Sequence, residues 1–238
     1  MGPLILDLVP VALGIVLSPL ALMALVAVLV SRLARVNGIA YLLGWAVGIG
    51  GLLALFLWLF SVLTVHAQRE PPLWVAILRI LISVLLLGGA WWVYSRGRRH
   101  IAAVAAASTP HEIADAVPSL PGWLQAVSSF RPGRTFLLGV GLFVLNPVDA
   151  SCAVIAALDI SLADVSTASG IVVAVVFGIV GLLPIGLPVL FVVARGSRAQ
   201  PALDSMRTWV ASHTHVMNAA LLLVIGVLQL QKGITALL

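Results

Sequence analysis

The chain predicts an all-α polytopic membrane protein with six transmembrane helices in two inverted three-helix repeats, helices 1 and 4 being interrupted at Ser18-Pro19 and Asn146-Pro147. Three observations carry this expectation. Of the 238 residues 62% are hydrophobic and 9% charged, with a mean hydropathy of +1.18, which lies outside the composition of soluble domains. Six apolar runs are long enough to cross a hydrocarbon core of about 30 Å, which takes about 20 helical residues each. Finally, a polar residue followed by proline recurs in the first and fourth runs. Proline there frees backbone carbonyls that only a neighbouring helix, a polar side chain or a wet cavity can satisfy.

The six runs lie at Leu4–Val30, Val36–Val65, Pro72–Tyr94, Thr135–Leu158, Ala168–Ala194 and His215–Leu238. No basic residue precedes the first, which therefore reads as a retained span rather than a cleaved signal. The second contains Gly44-Trp45-Ala46-Val47-Gly48, and the fifth Gly178, Gly181 and Gly186; small residues at such spacing let helices approach closely. The third carries Arg79 and Ser83, and the fourth Asn146, Pro147, Asp149 and Ser151. His213 and His215 open the sixth and, two residues apart, do not share a helical face. Runs one, two and five exceed a perpendicular span, so tilt or kinks are expected.

Orientation follows from the basic residues. Arg32, Arg35, Arg96, Arg98, Arg99, Arg131, Arg134, Arg195, Arg198 and Arg207 all fall in loops on one side, which becomes the cytoplasmic side; Arg69 and Lys232 fall on the other. Both termini are then extracytoplasmic, and Asp159 and Asp164 lie in an external loop. Trp58 and Trp74 fall near the outer boundary and Trp91, Trp92 and Tyr94 near the inner one, as an interfacial belt requires. Three spans on each side of a central loop give a first repeat at 1–95, a cytoplasmic amphipathic linker at 96–134 and a second repeat at 135–238. An odd number of spans inverts the second group, the plan on which many secondary transporters build a site that faces either side.

In the linker, Thr109-Pro110-His111-Glu112 fits a capping box. Leu120, Trp123, Leu124 and Val127 follow amphipathic helical spacing and predict an interfacial helix on the anionic inner leaflet, either a gate for lipid or a plain anchor. His111 and Asp115 share a helical face, but two ligands do not make a metal site, and no metal is expected.

The same residues exclude several function classes. A net charge of +5 is spread over short loops with no basic face, so nucleic acid is not a partner. One cysteine, Cys152, allows neither an intramolecular disulfide nor paired-thiol chemistry. No nucleophile elbow, phosphate-binding glycine loop with lysine, or His-Glu-x-x-His motif is present, so neither an enzyme nor a cofactor is expected and uphill transport would draw on a gradient or a partner.

The candidate substrate or proton pathway comprises Ser18, Pro19, Arg79, Asn146, Pro147 and Asp149. Ionisable groups within the hydrocarbon are costly and face a bundle interior or a wet cavity. At 1.5 Å per residue, Arg79 lies about 10 Å from the outer end of its run and Asp149 about 21 Å from the inner end of its own, so the two are expected to pair across a core of about 30 Å. That pair is either a fixed structural tie or a substrate-contacting or proton-carrying one in which protonation of Asp149 favours one facing state; the remaining alternative is an Arg79 that snorkels outward alone.

Leu17-Ser18-Pro19, Arg35-Val36-Asn37-Gly38 leading into Leu43-Gly44-Trp45, Leu120-Pro121-Gly122-Trp123-Leu124 running through Phe130-Arg131-Pro132-Gly133-Arg134, and Leu145-Asn146-Pro147 together resemble the peptidoglycolipid-addressing protein family. The likeness is to its sulfolipid-addressing type, within the LysE exporter superfamily, and covers nearly the whole chain in order. It implies an inner-membrane protein of actinobacteria that moves glycolipids or related envelope lipids out of the cytoplasm. Its partners would be membrane lipids, a lipid or small-molecule substrate, a second copy of the chain and envelope-lipid export machinery. Where that family often continues Asn-Pro with lysine and asparagine, this chain has Val148 and Asp149. An exporter of a small polar solute and a non-transporting accessory subunit remain the alternatives.

Overall fold

A computed structural model describes residues 2–31, 33–63, 72–106, 127 and 129–237. Among these residues the fold is entirely helical. The helices are α1 (Gly2–Val16), α2 (Pro19–Leu29), α3 (Ala34–Val62), α4 (Leu73–Ala106), α5 (Pro132–Leu145), α6 (Pro147–Leu162), α7 (Thr167–Arg195) and α8 (Gln200–Thr235), with a 3₁₀ turn at Gly196–Ala199 before α8. Among the described residues four helices are long and apolar enough to cross a membrane, or six spans in all if each of two bent pairs counts as one. The bent pairs are α1 with α2, at 43°, and α5 with α6, at 67°; both bends fall at the polar-proline motifs.

The breaks follow from proline chemistry. Ser18 (φ −63°, ψ 104°) and Asn146 (φ −77°, ψ 113°) are both extended, because a following proline crowds the helical conformation. Each proline then starts the next helix at the position where its missing N–H costs nothing.

Packing is organised around α3, which touches α2, α5, α6 and α7, while α4 lies along α8. The closest approach is between α3 and α5. A Cβ on Gly44 would collide with the Phe136 carbonyl oxygen, and one on Gly139 would lie 2.5 Å from the Tyr41 carbonyl oxygen, so only glycine at both positions lets the backbones meet. Trp45, fully buried, stacks on Tyr41 at 6.2 Å and meets Phe143 edge-on at 5.0 Å. Its Nε1 donates to the Gly181 carbonyl at 3.3 Å, just before Pro184 interrupts the hydrogen-bond ladder of α7. Tyr41 Oη donates to the Ala21 carbonyl at 3.0 Å, tying α3 to α2.

The outer surface is apolar, as a lipid-facing surface must be; Trp58, Trp91, Trp92 and Tyr94 all project from it. Trp74 instead stacks on Phe60 at 6.0 Å.

Several boundaries need correction. The helix carrying the third run continues to Ala106, and that carrying the sixth starts at Gln200, so His213 and His215 lie inside α8. Asp159, expected in an external loop, is in α6 and buried, because α6 keeps its helix through Leu162. Of the expected interfacial helix, Leu120, Trp123 and Leu124 lie outside the described residues, as do His111, Asp115 and the capping box; Val127 is described and is fully buried. Three residues on, the Phe130 carbonyl accepts from Asn37 Nδ2 at 2.9 Å.

Candidate functional site

The two pre-proline side chains converge on one carboxylate. Asn146 caps α6 by accepting the Val148 N–H on Oδ1 at 3.1 Å, which leaves its amide nitrogen to donate to Asp149 Oδ2 at 2.6 Å and to Ser18 Oγ at 3.4 Å. Ser18 caps nothing. Its hydroxyl donates across the bundle to the same Asp149 Oδ2 at 2.9 Å. Asp149 is fully buried in the first turn of α6, where the helix dipole favours negative charge. Among the described residues its second oxygen, Oδ1, has no hydrogen-bond partner. The structure thus brings Ser18, Asn146 and Asp149 together at the two helix breaks, with Pro19 and Pro147 creating the breaks themselves.

Arg79 is not part of this cluster, which corrects the expected Arg79–Asp149 pair. Its guanidinium donates from Nη2 to Asp159 Oδ1 at 2.6 Å and from Nη1 to Gln229 Oε1 at 2.8 Å. Asp159 Oδ2 accepts from Lys232 Nζ at 3.1 Å, and Lys232 also pairs with Asp7 at 3.2 Å. The fourth apolar run ends at Leu158, one residue before the carboxylate that Arg79 meets, so depth along the runs points to Asp149 instead. Asp159 lies ten residues beyond Asp149, about 15 Å along α6.

This second cluster was missed, although its signal was visible. Asp7, Arg79 and Lys232 each interrupt an apolar run, and charges within such runs need partners.

A cavity of about 860 Å³ opens above the second cluster, its walls including Asp7, Arg79, Asp159, Asp164, Gln231 and Lys232. This vestibule is within the size range of ligand pockets and carries both signs of charge.

On another side of the bundle a groove of about 400 Å³ runs along α5 to the second break. Leu20, Leu138, Gly141 and Leu145 line it, and it ends at Asn146 and Pro147. Apart from Asn146 its lining is apolar. Leu145 is 82% exposed and Leu137 66%, so the groove faces the lipid side rather than the core. Such a surface is complementary to an apolar chain rather than to a charged group, while the cluster behind Asn146 offers polar groups.

No group of three or more metal-ligating side chains occurs among the described residues. A family model described as "Sap, sulfolipid-1-addressing protein" matches residues 8–235. Neither curated proteins nor solved structures yielded a match.

Proposed function

The chain belongs to the sulfolipid-1-addressing protein family, and from that premise we propose that it exports a cell-envelope glycolipid or related lipid across the plasma membrane. Its apolar helices and its family agree on a multi-pass membrane protein with a role in lipid handling. The observation that carries the export reading is the apolar groove ending at Asn146 and Pro147. Acyl chains lie in the groove, in contact with the bilayer, while the polar part of the lipid passes the helix breaks.

The two halves act as inverted repeats that rock about those breaks. The arginine-rich loops face the cytoplasm, and the Lys232 end, with both termini, faces outward. Asp149 carries the coupling proton: taking one up changes its bonds to Ser18 and Asn146 and favours one facing state. Arg79, held by Asp159, is a structural member of the second cluster.

The direct test is transbilayer movement of a head-labelled glycolipid in vesicles containing the purified protein. Movement that depends on the protein and stops when the groove is filled at Gly141 supports the proposal; movement indifferent to that filling refutes it. A second reading, export of a small polar solute, draws on the charged vestibule. It requires solute flux that survives the filled groove.

A further inference from the structure

Two cavities meet at one set of ion pairs. The vestibule of about 860 Å³ and a smaller cavity of about 100 Å³ share Asp7, Leu228 and Lys232 in their walls. The smaller one has room for about three waters at about 30 Å³ each. It runs between α1 and α8 to Val11 and Ile225. A Cβ at Gly14 would touch both the Ile225 side chain and Cys152 Sγ, so Ile225, at the inner end of that cavity, and Cys152 lie against the same point of α1, with the Ile225 side chain as the last barrier before the thiol. One helical turn along α6 from Cys152 is Asp149.

We infer that Asp7, Lys232, Asp159 and Arg79 form a latch that closes a water path running from the vestibule, between α1 and α8, to Cys152 and Asp149. Two of the three ion pairs cross the halves of the chain, Arg79 of α4 with Asp159 of α6 and Asp7 of α1 with Lys232 of α8, while the third ties Lys232 to Asp159 within the second half. The Arg79–Asp159 pair is buried, with side-chain exposures of 7% and 4%. The Asp7–Lys232 pair, at 49% and 28% exposed, is the weak member, since partly solvated pairs add little. It is therefore the part that opens. Contacts between α3 and α5 are of another kind, backbone against backbone at Gly44 and Gly139, and release of one side chain does not part them. As a gate the latch rests on the transport reading above, but its opening is measured without transport.

Cys152, buried and the one cysteine of the chain, is the reporter. The full-length protein in liposomes is exposed to a membrane-impermeant methanethiosulfonate from the Lys232 side. Wild-type Cys152 reacts slowly. Asp7→Asn and Lys232→Gln raise the rate by about tenfold or more, as a shift toward a locally open state requires. Asp164→Asn, in the vestibule wall outside the latch, leaves the rate unchanged, and Cys152→Ala sets the background. Acceleration in both latch variants at wild-type melting temperature is the expected result. Unchanged rates, acceleration shared by Asp164→Asn, or acceleration only with a lowered melting temperature overturns the latch. A wild-type protein that moves no lipid while the latch variants still expose Cys152 refutes the transport reading and upholds the latch.

Discussion

Replacing Arg79 by methionine separates the two carboxylates that compete for it on paper. The guanidinium lies 2.6 Å from Asp159, with both side chains more than nine-tenths buried. Removing one partner of such a pair leaves an uncompensated buried charge and costs about 3–5 kcal/mol. Here Lys232 still reaches Asp159 Oδ2 at 3.1 Å, so the loss for Arg79→Met falls at the lower end, about 3 kcal/mol. Asp159→Leu alone strands Arg79 with only Gln229 Oε1 at 2.8 Å and costs at least as much. The double replacement removes both charges and recovers much of the loss, because an apolar pair of similar volume is often neutral. Unfolding in detergent with increasing denaturant gives the four free energies of the cycle. The expected Arg79–Asp159 coupling is about 2 kcal/mol or more, against less than about 0.5 kcal/mol for the same cycle built on Asp149. A coupling to Asp149 as large as that to Asp159 refutes the arrangement described above and restores the pairing expected from depth alone.

Gly141 lines the groove and has nothing within 4 Å of a Cβ placed on it, so the Cβ of Gly141→Trp is unhindered and its indole is placed to occupy the groove. Lipid movement in vesicles falls by about tenfold or more, because an occupied groove excludes an acyl chain; Gly133→Trp, equally unhindered but outside the groove lining, leaves it unchanged. Asp149→Asn retains the size of the side chain and the fold, and abolishes transport driven by an imposed proton gradient; gradient-driven transport at the wild-type rate in this variant defeats the coupling role. Gly44→Ala drives a methyl group into the Phe136 carbonyl of α5 and lowers unfolding stability by about 1–3 kcal/mol, the usual cost of overpacking. Gly50→Ala on the same helix, where a Cβ meets nothing within 4 Å, has no such effect in the same denaturant titration.

Local signals were legible and pairings were not. The breaks at Ser18 and Asn146 could be read from two residues each, because proline and the residue before it are constrained by their own covalent structure. The convergence of both motifs on Asp149 could not be read. It depends on a contact 131 residues apart in sequence, set by how α1 packs on α6. Arg79 is the opposite case. Its need for a partner was plain, but depth along the runs points to Asp149, and a single helix extending four residues further, to Leu162, decided in favour of Asp159.

The amino-acid sequence by itself determined a helical chain apolar enough for a membrane, the places where its helices break and two of its buried charges, Arg79 and Asp149, because hydrophobic length and proline sterics act over a few neighbouring residues. Tertiary structure alone decided which buried charges meet. It also decided that the glycines of α3 and α5 bring two backbones into contact, and that an apolar groove and a charged vestibule open in different places. Those outcomes depend on helix rotation and on end positions at the scale of one residue, and they involve interactions that no local pattern in the chain encodes.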